Sequence, residues 1–171
     1  MKKCFALLLA LLFIILFCGC SKETENSGAM PENFAFSLTW NTYGISSYDS
    51  ASGRLVKTTD ATIPEDYVTT LELTESQLAE IWQIIDDLGI ENYPEEFDPF
   101  DGAKSEPHRT IVLSTVIDGA QREIRCEEIS LGAGGATKRG EAFLTAVSDI
   151  VNIIESTPEW RSLPDYEFMY D

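Results

Sequence analysis

The chain has 171 residues, with 12 basic and 29 acidic side chains and a formal net charge of −17. A polyanionic surface repels nucleic-acid phosphates, so nucleic acid is excluded as a partner. About 140 residues follow the N-terminal region, which is enough for one hydrophobic core without disulfides or metals.

The N-terminal region begins Met-Lys-Lys and contains only apolar side chains from Phe5 to Phe17. A basic start followed by an apolar stretch of this length is typical of a secretory signal peptide. The stretch is too short to cross a bilayer, because a spanning helix needs about 20 apolar residues. We therefore expect residues 1–19 to be a signal peptide that is removed on export.

The end of this region offers a cleavage site, because two small residues come directly before Cys20. The segment Leu16–Cys20, LFCGC, resembles the lipobox of bacterial lipoproteins, with Phe17 where leucine is usual. The resemblance implies a diacylglycerol on Cys20, with acyl chains such as palmitate, and attachment to the extracytoplasmic face of the cell membrane. In an envelope with two membranes, Ser21 resembles the signal for sorting to the outer one. The alternative is an ordinary secretory signal that is cut elsewhere.

Removal of residues 1–19 would take away two basic and no acidic side chains. The mature chain would keep 10 basic and 29 acidic side chains, a net charge of −19. Of the four cysteines, two leave with the signal peptide and Cys20 is acylated, so Cys126 alone remains and an intrachain disulfide is excluded. Solubility in the cell envelope is the favoured interpretation of the acidic charge.

Residues 21–33 are polar, lack periodicity and include a glycine and a proline. This composition is typical of a flexible linker. We therefore expect residues 20–33 to be a lipidated cysteine and tether, and residues 34–171 to be a single α+β globular domain.

Strict alternation predicts a first strand from Phe34 to Asn41 with an aromatic inner face. A hairpin loop at residues 49–53 leads to a second strand near residues 54–59, and β-branched residues predict a third strand over 67–73.

A first helix is predicted to begin after Thr74, which forms a capping box with Gln77, and to end at Gly89. An irregular segment leads to a hairpin around Asp118-Gly119, with strands at residues 110–117 and 121–126.

A second helix is predicted over residues 138–155, with Pro158 preventing its continuation. The order β-β-β-α-β-β-α, with tight turns between strands, predicts an α+β fold. We expect an antiparallel sheet of about five strands with two helices packed on one face.

The irregular segment at residues 91–108 carries acidic and aromatic side chains, and its Asp98 and Asp101 are candidate oxygen ligands for Ca²⁺. The acids lack the spacing of a known calcium loop. The favoured interpretation is a connection held to the domain by its aromatic side chains.

Three other features could carry chemistry, and each has a simpler interpretation. The glycine-rich segment 132–135 lacks the Gly-Lys-Ser/Thr of a phosphate loop. His108 is the single histidine, so a multi-histidine zinc site is excluded and a surface role is favoured. Cys126 is expected to be a buried apolar residue and not a nucleophile. No cofactor and no catalytic residue is predicted.

Two classes of function remain, and the first is favoured. One is a membrane-anchored binding or accessory module of the cell envelope whose partner is a protein, peptide or glycan. The other is a carboxylate- or metal-dependent hydrolase that acts on envelope polymers. The sequence does not indicate the oligomeric state.

Overall fold

The computed structural model describes residues 28–60, 62–100, 108–129 and 135–167. Cys20 and Asp101, together with the signal peptide and segment 130–134, lie outside these ranges. The described residues form one six-stranded antiparallel sheet and three α-helices. In chain order, the elements are β1 (Ala35–Trp40), β2 (Ser46–Asp49), β3 (Arg54–Lys57), β4 (Tyr67–Thr70), α1 (Glu75–Leu88), a 3₁₀ turn (Ile90–Asn92), β5 (Arg109–Ile117), β6 (Ala120–Ile129), α2 (Lys138–Glu155) and α3 (Pro158–Arg161).

The strands lie in the order β4-β3-β2-β1-β5-β6, and every neighbouring pair is antiparallel. The predicted α+β class and antiparallel sheet are confirmed. The sheet has six strands, whereas about five were expected, because β2 was not predicted. The sequence of β2, SSYD, lacks apolar alternation, yet its backbone pairs with β1 from Ser37↔Asp49 to Trp40↔Ser46.

The predicted starts and ends of the two long helices are confirmed. Thr74 accepts a hydrogen bond from the Gln77 amide and completes the capping box, and Gly89 takes a left-handed φ of 62°. Helix α2 has the predicted bounds. Pro158 ends that helix as expected, but it also occupies the first turn of α3, where a missing N–H costs nothing.

Both long helices pack on the inner face of the sheet. Ile81 and Ile85 of α1 and Phe143 and Ile150 of α2 are fully buried in one cluster with the inward side chains of the strands. In β1 those side chains alternate with half-exposed ones, as predicted. The core therefore lies between the helices and the sheet.

The β6 edge of the sheet is covered by the segment that follows the 3₁₀ turn. The Arg125 amide donates to the Glu95 carbonyl (2.6 Å) and the Phe97 amide donates to the Arg125 carbonyl (2.9 Å). These bonds form a short parallel bridge. Such a cover protects an edge strand from pairing with another chain.

Candidate functional site

Aromatic side chains of segment 91–108, which we call the acidic loop, pack into the core. Tyr93 is buried, its ring lies edge-to-face with Phe97 at 5.1 Å, and both rings lie 5.6 Å from Phe143 of α2. The Arg139 guanidinium lies 4.4 Å from the Tyr93 ring centroid. This part of the loop is a packed connection, the interpretation that the sequence favoured.

Asp98, one of the two candidate metal ligands, helps to shape the loop. Its Oδ1 accepts a hydrogen bond from the Phe100 amide (2.9 Å), as in an Asx turn. Asp101 lies outside the described residues, so the structure does not place the two carboxylates relative to one another. Among the residues that are described, no group of three or more His, Cys, Asp or Glu side chains is arranged to hold a metal ion.

Cys126 is fully buried on the inner face of β6. Burial, together with the negative charges of Asp98 and Glu96, raises the pKa of its thiol to about 12. The thiol therefore stays protonated at neutral pH and is a poor nucleophile. His108 lies edge-to-face with Tyr43, with ring centroids 4.7 Å apart.

A polar cluster that the sequence analysis missed surrounds Lys57. This lysine is only 4% exposed, and its Nζ lies 4.8 Å from the Trp160 ring and 4.7 Å from the Tyr166 ring. Its alternation with buried Leu55 is the sequence signal that could have placed it inward. The two aromatic partners lie more than 100 positions away and could not be inferred.

Hydrogen bonds also hold Tyr166 in place. Asn41 Nδ2 donates to the Tyr166 hydroxyl (2.8 Å), and that hydroxyl lies 2.7 Å from Ser46 Oγ. The Glu167 amide donates to the Thr59 carbonyl (3.0 Å). The cluster therefore fixes the C-terminal segment across one end of the sheet, which is a structural role.

A concave surface lies between α1 and α2 on their solvent side. Two adjoining cavities of about 600 Å³ each share Ile84 of α1 and Asp149 of α2. We call this surface the interhelical groove. Its volume is in the range of ligand-binding clefts.

The groove has an apolar floor and acidic rims. We call its buried or half-buried apolar side chains the floor: Ile84, Leu88, Ala146 and Ile153. Polar side chains also line the groove: Gln77, Thr145, Asn152 and Ser156. Its rims carry four exposed carboxylates: Glu80 and Asp87 on α1, and Glu141 and Asp149 on α2. Lys138 lies at one end. None of the four carboxylates forms an ion pair within the described part of the chain.

The sequence signal for the groove is a pair of apolar residues on the solvent side of the helices. Ile84 and Ile153 are half-buried, on the solvent side of the two helices, where side chains are usually polar. An apolar residue in that place indicates either a third packing partner or a binding surface.

No protein-family model matches this chain, and no curated protein matches it. No helix that the structure describes has the length and apolar character needed to span a bilayer.

Proposed function

We propose that the protein is a lipoprotein anchored by Cys20 to the extracytoplasmic face of a cell membrane, the outer membrane where the envelope has two. There its domain acts as a binding or accessory module for another envelope component. The lipobox-like segment Leu16–Cys20 and the preceding apolar stretch support the anchor.

The position of Gly28 is the observation that carries the proposal. The Gly28 carbonyl accepts a hydrogen bond from Trp82 Nε1 (2.8 Å), and its amide donates to Asp86 Oδ2 (3.2 Å). The chain therefore joins the domain on the flank of α1, with seven residues between Gly28 and Cys20. Such a segment reaches about 28 Å when fully extended and about 15 Å as a flexible coil. A lipid on Cys20 would hold the domain close to the membrane.

The contact that Gly28 makes lies on the side of α1 away from the interhelical groove. Asp86 contacts Gly28, whereas Ile84, two positions earlier, lines the groove. Side chains two positions apart in a helix differ by about 200° around the helix axis, so they lie on nearly opposite sides. The Gly28 contact and the groove thus lie on opposite flanks of α1, so this contact leaves room for a partner in the groove.

Catalysis by a thiol nucleophile is disfavoured by the state of the one cysteine in the domain. Cys126 is buried and protonated, which removes it as a nucleophile. The alternative, a carboxylate- or metal-dependent hydrolase of envelope polymers, is not favoured by any observation on the described residues. Release of soluble fragments from those polymers by the purified protein would support it instead.

Fatty-acid labelling tests the anchor. Wild type should incorporate labelled fatty acid and sediment with membranes, whereas Cys20→Ala should take up no label and lose membrane retention, because the acyl chains supply the membrane affinity. Cys126→Ala is the matched control, since it removes the other cysteine of the mature chain and should label like wild type. Equal labelling of Cys20→Ala and wild type would reject the anchor.

A further inference from the structure

We propose that the interhelical groove is the docking site for a cationic amphipathic segment of a partner protein. The inference rests on the proposed function and names the kind of partner. The partner is expected to present an apolar stripe to the floor of the groove and Lys or Arg side chains to its rims, as amphipathic helices do in apolar grooves.

The charges of the two helices point to a cationic partner. Helix α1 contains no Lys or Arg, and neither α1 nor α2 has a basic residue in its last turn. Asp87, which lines the groove, occupies the last turn of α1, where the helix dipole disfavours a carboxylate. This arrangement costs stability in the free domain. A departure from local stability rules is expected where a surface serves binding.

The rims carry negative charge that a cationic ligand would complement. Glu80 and Asp87 line one side of the groove and Glu141 and Asp149 the other, with no ion-pair partner in the part of the chain described here. Basic side chains placed between the rims would be attracted to both of them. Such complementarity also raises the association rate and makes binding sensitive to salt.

The apolar floor favours a peptide over a small cation. Ile84 and Ile153 offer aliphatic surface to a peptide. Among the described residues, no three or more His, Cys, Asp or Glu side chains are grouped so that they could hold a metal ion. The side chains that are half-buried in the free domain would lose their remaining exposure under a docked segment, which adds a hydrophobic contribution.

The length of the groove sets the size of the segment. Its lining runs along α1 from Gln77 to Leu88, about 16 Å at the rise of an α-helix. A helical segment of about three turns matches that length, and it would carry three or four apolar side chains on one face.

A designed peptide provides the test. The probe is a fluorescent twelve-residue peptide of Lys, Leu and Ala with Leu at helical spacing, and a scrambled peptide of the same composition is its control. The lipidated protein is held in phosphatidylcholine nanodiscs, with empty nanodiscs as the blank. Binding is measured by fluorescence anisotropy at low and at physiological salt.

Two double variants with the same change in net charge separate the groove from the general acidity. Glu80→Gln/Asp149→Asn removes one carboxylate from each rim, whereas Glu72→Gln/Asp165→Asn removes two exposed carboxylates elsewhere. We expect the groove variant to raise Kd about tenfold, since exposed charge pairs contribute modestly each, and the control variant to change Kd less than about twofold. All four positions are exposed, so both variants should fold, which thermal melting verifies.

Three outcomes would overturn the inference: no detectable binding of the probe, equal weakening in both double variants, or equally tight binding of the scrambled peptide. The second would indicate diffuse attraction to a polyanion, and the third would show that the apolar floor is not used. Because every protein in this experiment keeps Cys20, its failure would leave the anchor intact, whereas equal labelling of Cys20→Ala would reject the proposed function whatever the peptide does.

Discussion

Burial keeps the thiol of Cys126 protonated and unreactive. Its side chain lies on the inner face of β6 with no exposed surface, and the pKa of its thiol is raised to about 12. A thiolate there would be both desolvated and close to the carboxylates of Asp98 and Glu96, so the proton stays on sulfur. The same residue in an exposed, basic setting would be reactive.

We expect Cys126 in the folded protein to react with iodoacetamide at least about a hundredfold more slowly at pH 8 than in urea, because folding removes both access and thiolate. Mass spectrometry of the peptide that contains Cys126 measures the rate separately from other cysteines. Similar rates in the folded and unfolded protein would show an accessible thiolate and would reopen the nucleophile interpretation.

Lys57 illustrates a residue that local pattern cannot explain. A buried lysine is rare, and this one is tolerated because its ammonium lies over the faces of Trp160 and Tyr166. The strand alternation places its side chain inward, but the cation–π contacts depend on the fold of the C-terminal segment. Sequence reasoning could therefore predict its direction and not its partners.

Gly140 shows how one element constrains another. Glycine in a helix usually costs about 1 kcal/mol relative to alanine, yet Gly140 lies in the first turn of α2. A Cβ at this position would collide with the carbonyl oxygen of Pro99. The Thr137 amide donates to the same carbonyl (3.0 Å). The glycine thus allows Pro99 of the acidic loop to lie against the start of α2.

Gly140→Ala should lower the free energy of unfolding by about 1 to 3 kcal/mol, because the overpacking strain exceeds the gain in helix propensity. An equilibrium urea titration measures the change. Ser148→Ala, on the exposed side of the same helix, is the control and should raise stability by a few tenths of a kcal/mol. A Gly140→Ala protein as stable as wild type would show that the loop does not pack tightly against α2.

At the level of elements, local signals predicted what local chemistry determines. The capping box at Thr74, the turn at Asp118-Gly119 and the periodicity of α2 each depend on neighbours in the chain, and each was confirmed. Strand β2 was missed because its formation depends on pairing with β1 and β3 and not on its own apolar pattern. The groove was missed because it arises only when two helices meet.

The whole molecule combines an acidic surface with an interior that contains two buried tyrosines, Tyr48 and Tyr93. Burial raises the pKa of Tyr48, Tyr93 and Tyr166 above the ordinary 10.0 and that of Cys126 above the ordinary 9.0. The Tyr48 hydroxyl donates a hydrogen bond to the Leu71 carbonyl, so ionisation of Tyr48 would also break that bond. The core is therefore built for neutral tyrosine and thiol groups.

Stability is expected to fall in alkaline solution. Since the pKa of each of these groups is higher in the folded protein than in the unfolded chain, the unfolded chain loses protons first as the pH rises. Their contribution is fully present below the unfolded values of 9.0 for cysteine and 10.0 for tyrosine, and it is lost as the pH rises from there through the folded values.

Urea titrations between pH 7 and 11 should show a constant contribution from these groups up to about pH 8 and a progressive loss above pH 9. Tyr166→Phe, although less stable at pH 7 because Asn41 and Ser46 lose a partner, should lose less stability between pH 9 and 11 than wild type. An equally steep alkaline loss in Tyr166→Phe and wild type would mean that this hydroxyl titrates alike in the folded and unfolded states, and that the C-terminal segment does not bury it.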